Sequence, residues 1–491
     1  MNFLILSNFS LFCYIIELMK KKFYISTPIY YVNDKSHIGH LCTTLAADVL
    51  ARHHRLIGDD VFFLTGTDEH GAKIAKAAEE NKKTPADYCD QLAKDFEQNW
   101  KKLNLSYDFF IRTTDPRHKK AVSEFIQNIY DNGDIYKAKY EGLYCIGCEK
   151  FLTDSDLVDG RCPYHSNQKP QKQSEENYFF RLSKYQEKIE KVLMDPKYEN
   201  YYEIFPENKK REILNKVKEG LRDISISRAN VDWGIPIPWD KKQTIYVWFD
   251  ALLNYYTVTR FLKNKKKFWP ADLHIVGKEI SWFHAVIWPV MLLAAGEKIP
   301  KKLFVHSFYI SGGQKMSKSL GNVISPKDLT SNFGLEGTRY LIASTFPGAD
   351  DSDITMEFLK EKYNADLANG LGNLVQRVSK LCEKVDIKYN FHKNYNNYKN
   401  YDLFLKNYKF NEALGLVWKK VSELDKYVND TKPWKKKGIE LEKILQKPVN
   451  EILEISFLLK PFLPETAEKI EKIFTANQIK APKNPLFPRL K

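Results

Sequence analysis

Two histidines three positions apart, in His37-Ile-Gly-His40, fall where a β-branched, aromatic run gives way to a helical pattern. The first turn of a helix carries unpaired N–H groups and the positive end of its dipole, so this position suits a phosphate. His37 and His40 share one face of that turn and add donors, while Gly39 leaves no side chain between the helix and a flat base or sugar. A second segment, Gly312-Gly-Gln-Lys-Met-Ser-Lys-Ser319, places Lys315 and Lys318 behind two glycines. The glycines predict a mobile loop, and the lysines are point charges that can swing onto a triphosphate. Alone, the first motif is equally a solvated helix cap and the second a solvated basic loop. Together in one sheet they point to nucleotide chemistry. A third cluster is Cys145-x2-Cys148, thirteen residues, then Cys162-x2-His165. That spacing predicts one closed, structural zinc site with no open coordination position. Cys13, Cys42, Cys89 and Cys382 are isolated and carry no assigned role.

Strand, helix, strand, helix must position the first motif. Phe23–Tyr31 reads as a strand, a helix with Ser36 as its N-cap follows, and Asp60–Gly66 reads as the next strand. This alternation predicts a parallel α/β sheet. The pattern breaks between about Tyr136 and Asn230 and resumes in Thr244–Phe249, His274–Gly277 and Leu303–Phe308. From about Tyr363 onward only helical spacing remains, as in Phe410, Leu414, Val417, Val421, Leu424 and Val428. The expected order is a dispensable extension (1–18, translation starting at Met19), a first catalytic half (19–135), an inserted zinc module (136–230), a second half with the basic loop (231–330), a connector (331–362) and a helical domain (363–491).

The chain has 491 residues, with 76 Lys+Arg against 62 Asp+Glu, a net charge of +14. A 43% apolar and 28% charged composition is globular, and the positive excess fits a polyanionic partner. Seven cysteines in so long a chain do not make a disulfide framework, and a reducing, cytoplasmic compartment is expected. No apolar run reaches membrane-spanning length.

The pairing of His37-Ile-Gly-His40 with Lys315-Met-Ser-Lys-Ser319 resembles the HIGH and KMSKS signatures of class I aminoacyl-tRNA synthetases. Thr27-Pro-Ile-Tyr-Tyr-Val-Asn33, Thr65-Gly-Thr-Asp-Glu-His-Gly71, Trp233-Gly-Ile-Pro-Ile-Pro-Trp239, Val247-Trp-Phe-Asp-Ala-Leu-Leu-Asn-Tyr255 and Phe283-His-Ala-Val-Ile-Trp-Pro289 resemble the methionyl branch of that class. The resemblance implies a Rossmann-like α/β catalytic domain split by a zinc-binding insertion and followed by an all-α anticodon-binding domain. It implies catalysis by His37, His40, Lys315 and Lys318, with ATP also held by Gly39 and Ser317 and carrying Mg²⁺. The implied methionine pocket is Ile29, Tyr31, Asp68, Trp248, Ala251, Leu252, Tyr255, Ile280, Phe283 and His284. A thioether favours aromatic walls, Asp68 can neutralise the substrate ammonium, and His284 or Tyr255 can donate to the sulfur. Zinc on Cys145, Cys148, Cys162 and His165 is implied to shape the module that positions the acceptor end of tRNA. Asn373, Arg377 and Trp434 are implied anticodon readers, by stacking and base-edge contacts. The partners implied are methionine, ATP and the initiator and elongator methionine tRNAs, with the protein expected to be a monomer. The isoleucine, valine, leucine and cysteine enzymes of the class are weaker matches. A non-catalytic zinc-containing RNA-binding protein is the rival from another functional class.

Overall fold

The computed structural model describes residues 20–32, 35–145, 150–152, 157–163, 169–229, 231–316, 322–387, 389, 391 and 398–491. The expected extension 1–18 therefore lies outside the described residues. Six strands form one parallel sheet: β1 (Lys22–Tyr31), β2 (Asp60–Asp68), β3 (Phe109–Arg112), β4 (Glu203–Phe205), β5 (Leu273–Gly277) and β6 (Lys302–His306). Their order across the sheet is β3-β2-β1-β5-β6-β4. Alternate residues of β1 and β2 enter opposite faces: Phe23, Ile25, Val61 and Phe63 pack on one side, Tyr24, Phe62 and Leu64 on the other. Both faces are covered, which is why these strands read as apolar runs without clean alternation.

Helix α1 (Ile38–Leu56) lies on the first face and is buried nearly all round. Its polar positions are spent inward. The Asp48 carboxylate takes an N–H from Arg339 at 2.6 Å, and both side chains are fully buried. Arg339 sits on α4 (Pro326–Ser344), reached after the short helices α2 (Ala72–Glu80) and α3 (Val247–Ala251). It also donates to the carbonyls of Leu103 (3.2 Å), Pro461 (3.3 Å) and Phe462 (2.8 Å). One guanidinium thus joins the helix bearing the histidine motif to a turn of the C-terminal bundle.

That bundle contains α5 (Asn373–Cys382), α6 (Phe410–Thr431) and α7 (Gly438–Leu459), and its core runs without a break into the core of the first sheet face. The six apolar positions from Phe410 to Val428 all fall on the buried stripe of α6. The architecture is the expected α/β sheet followed by helices.

Two segments fold differently from their sequence pattern. Thr244–Phe249 is not a strand of the parallel sheet: Asp240–Ile245 pairs antiparallel in a small separate sheet, and α3 starts at Val247. Glu203–Phe205, inside the interrupting segment 136–230, adds an edge strand beside β6.

Candidate active site

The strand order reverses between β1 and β5, and a ligand crevice is expected outside the carboxyl ends of strands at such a point. The two strands pair only at Ile25–Leu273 and Ser26–His274. Beyond Ser26, β1 carries an irregularity against β2, where Ser26 faces Leu64 and Ile29 faces Gly66. Pro28 also has no N–H to offer a ladder. The two halves of the sheet part there, around a cavity of about 600 Å³.

All ten positions of the expected amino-acid pocket line this cavity. Ile29, Tyr31 and Asp68 stand at the ends of β1 and β2. Trp248 and Ala251 lie on α3, Leu252 is its C-cap, and Tyr255 lies in the first turn of the helix that follows, Asn254–Phe261. Ile280, Phe283 and His284 follow β5. Trp248 and Phe283 stack with ring centroids 4.0 Å apart at 10°. His37, Gly39 and His40 line the same space.

The histidines close the helix themselves. Ser36 is not the N-cap; its hydroxyl accepts from Asn99 instead. His37 is the cap: its Nδ1 accepts from the Gly39 N–H at 3.1 Å, and His40 Nδ1 accepts from the His37 N–H at 3.3 Å. The rings stack at 3.7 Å. An Nδ1 that accepts a backbone N–H carries no proton, so each neutral imidazole keeps its proton on Nε2, as a donor. Desolvation lowers both pKa values, and His37 lowers that of His40 further. A Cβ at Gly39 would meet the His37 ring at 3.0 Å, so Gly39 makes room for the cap as well as for a ligand.

The pocket's own polar pair is already committed. His284 Nδ1–H donates to the Ile280 carbonyl at 3.0 Å, which leaves Nε2 to accept the Tyr255 hydroxyl at 2.8 Å. Contrary to the sequence expectation, neither group has a hydrogen left for a sulfur, because the turn at Ile280 fixes the His284 tautomer. Burial lowers His284 from 6.5 to about 4 and His306 likewise. Both bind a proton less readily folded than unfolded, so unfolding takes up protons in this range. Their contribution is complete above pH 6.5 and is lost as the pH falls toward 4. The urea midpoint should therefore fall between about pH 7.5 and 5, above the range where carboxylates titrate; equal midpoints would contradict the neutral-histidine assignment.

One lining residue and one residue behind the wall carry no assigned role in the motifs above. His306, at the carboxyl end of β6, faces the cavity and its Nε2 meets the Thr43 hydroxyl at 2.7 Å. A histidine at the carboxyl end of a parallel strand was a readable signal. Asp250 on α3 is buried between His70 Nδ1 (2.5 Å) and His118 Nε2 (2.8 Å). Burial alone would raise its pKa, but the two imidazoles bring it down to about 2. This ionised hub ties the segment after Asp68 to the helix carrying Trp248.

The basic motif begins in a hairpin: Tyr309–Ser311 pairs with Gln314–Lys315. Gly312 (φ +60) and Gly313 (φ +72) adopt left-handed conformations, and their N–H groups each donate to the Asp353 carboxylate at 2.8 Å. The glycines thus make a clamped turn where the sequence suggested a mobile loop. Met316, next to Lys315, lines the cavity. Ser317 and Lys318 lie outside the described residues.

Cys145 and Cys162 are buried together with Leu152 in a small core of their own. Cys148 and His165 lie outside the described residues. In the bundle, Asn373 and Arg377 sit one turn apart on α5, and the Arg377 guanidinium lies 5.9 Å from the Trp434 ring centroid. Arg377 is held by Asp425 and Asn429, each at 2.7 Å. Lys432 ends α6 in a left-handed conformation, and Pro433 then turns Trp434 outward, 47% exposed. No helix among the described residues is long and apolar enough to cross a membrane.

The family described as tRNA synthetases class I (M) matches residues 23–171 and 164–379. The methionine–tRNA ligase of Clostridium acetobutylicum is 44% identical over 482 residues, which is 92% of this chain and 73% of that protein. That of Caldanaerobacter subterraneus subsp. tengcongensis is 42% identical over 482 residues, 92% of this chain and 74% of that protein. The chain belongs to the methionine–tRNA ligase family. Its reaction is the ATP-driven formation of methionyl-adenylate, followed by transfer to the 3′ end of methionine tRNA. Mycobacterium tuberculosis methionyl-tRNA synthetase in complex with methionyl-adenylate has the same fold, with TM-score 0.86 and 32% identity over 96% of this chain and 100% of that one. The apo form of the same enzyme gives 0.78 and 29%, over 96% and 99%.

Proposed function

We propose that the cavity between β1 and β5 is where methionine and ATP react, and that the bundle reads the anticodon. The observation that carries the first part is convergence. The capping histidines, the acid Asp68, the aromatic walls and the residue beside Lys315 all border one space. Methionine's carboxylate is already a nucleophile, so adenylation needs no protein base; it needs in-line placement and stabilised phosphate charge. His37 and His40 offer two Nε2–H donors beside a helix N-terminus. Lys315, Ser317 and Lys318 are assigned to the triphosphate as charges and a hydroxyl, and Mg²⁺ accompanies it. Asp68 takes the ammonium, and the Trp248–Phe283 stack borders the thioether. Methionine-dependent ATP–pyrophosphate exchange by the purified chain tests this directly, and a chain inert in that assay would refute it.

Residues 136–230 are proposed to position the tRNA acceptor end, with 331–362 as the stem-contact connector and 363–491 as the anticodon domain. The thiols of Cys145 and Cys162 already share a buried pocket, which suits a thiolate-rich zinc site completed by Cys148 and His165. When bound, zinc would crosslink the module. Elemental analysis should return one zinc per chain, and Cys145→Ala should lose it together with tRNA charging. A zinc-free chain with full charging activity would reject the site. We further propose a cytoplasmic monomer, which mass measurement in solution checks.

Trp434→Ala should cut tRNA charging about 10- to 100-fold, because stacking on a base contributes ~1–3 kcal/mol. Pyrophosphate exchange, which needs no tRNA, should not change. Equal loss in both reactions would contradict the anticodon role.

A further inference from the structure

An amino acid enters as a zwitterion, and its carboxylate must lie in line with the ATP α-phosphate. Two anions forced together need a cation between them. Asp68 answers the ammonium end, and Tyr31 stands beside it in register across β1 and β2. Just past β2, Gly71 at φ +110 turns the chain back into α2. Lys73, in the first turn of α2, is carried to the cavity wall, with its Nζ 5.9 Å from the Tyr31 ring centroid. Among the described residues lining the cavity, Lys73 is the only lysine or arginine, against two acids, Asp68 and Glu279.

We infer that Lys73 binds the α-carboxylate of methionine and holds it for attack. The inference rests on the cavity being the methionine site. One carboxylate oxygen forms the bond to the α-phosphorus, and pyrophosphate leaves with the electron pair of the broken P–O bond. The other oxygen, held by the Lys73 ammonium, becomes the carbonyl oxygen of the mixed anhydride; no proton moves. Asp68 and Lys73 flanking Tyr31 thus form an acid–base pair of sites matched to a zwitterion, with the aromatic walls left for the side chain.

The test compares methionine with methioninol, the amino alcohol that keeps the ammonium and thioether but has no carboxylate. Dissociation constants are measured calorimetrically for the full chain and for Lys73→Met and Lys73→Arg. Lys73→Met should weaken methionine about 10- to 100-fold, the range for a hydrogen bond to a charged group, and leave methioninol unchanged. Lys73→Arg should retain most methionine affinity. Equal weakening of both ligands would reduce Lys73 to a wall residue, and no weakening of either would remove it from the site; both results overturn the inference. A wild-type chain that binds neither ligand would overturn the cavity assignment itself, a result distinct from either.

Discussion

Arg339→Met should lower stability by about 3–5 kcal/mol, the loss associated with breaking one half of a buried ion pair. The guanidinium is fully buried, and its removal leaves the Asp48 carboxylate without its buried ion-pair partner and three carbonyls without that donor. Asp48 keeps Arg52 and the Ser106 N–H and hydroxyl, so the damage should be large without abolishing folding. Burial alone would raise the Asp48 pKa; Arg339 foremost, with Arg52 and Ser106, holds it below its ordinary value. In Arg339→Met that pKa should rise, and the acid limb of unfolding should move to higher pH. Adding Asp48→Leu should recover part of the loss, because a buried apolar pair carries no desolvation penalty. Urea unfolding of the single and double variants checks this. A single variant as stable as wild type would show that the pair contributes nothing.

The largest expected effect on catalysis is at His40. On the proposed function, His40→Ala removes an Nε2–H donor that serves phosphate charge growing in the transition state. It should depress the pyrophosphate-exchange rate by about 10²–10³, the usual loss for one preorganised donor. Methionine affinity should change little, because the His40 ring packs on Tyr30, His37 and Phe96 rather than on the Trp248–Phe283 stack. Weakened methionine binding at an unchanged rate would show that His40 serves ground-state binding. His40→Ala also leaves the His37 N–H without its acceptor. His40→Asn, which can cap the same N–H, separates the two losses.

Much of this was legible in the residues, and the failures have physical causes. β1 and β2 were readable because strands covered on both faces are apolar throughout, and α6 because its buried stripe keeps helical spacing. The cap at His37 was not, since serine is the commoner cap and nothing local shows that Asn99 occupies the Ser36 hydroxyl. Val247–Phe249 looked like a strand because a short, mostly buried helix has the same apolar run. What makes it a helix against the cavity is tertiary: Asp250 is held by His70 and His118, residues far away in sequence. Glu203–Phe205 escaped notice because a short edge strand in a charged stretch has too few residues to show a period.

The parting of β1 from β5 makes the sheet a zip with a stop sewn into it. Backbone irregularity and a missing N–H at Pro28 hold the opening, rather than the rings that line it. The chamber should therefore stay open when its upholstery changes. Smaller or differently shaped residues at Trp248, Phe283 or Leu252 can reshape the space for other amino-acid side chains, since the frame holding it open lies in the strand beneath.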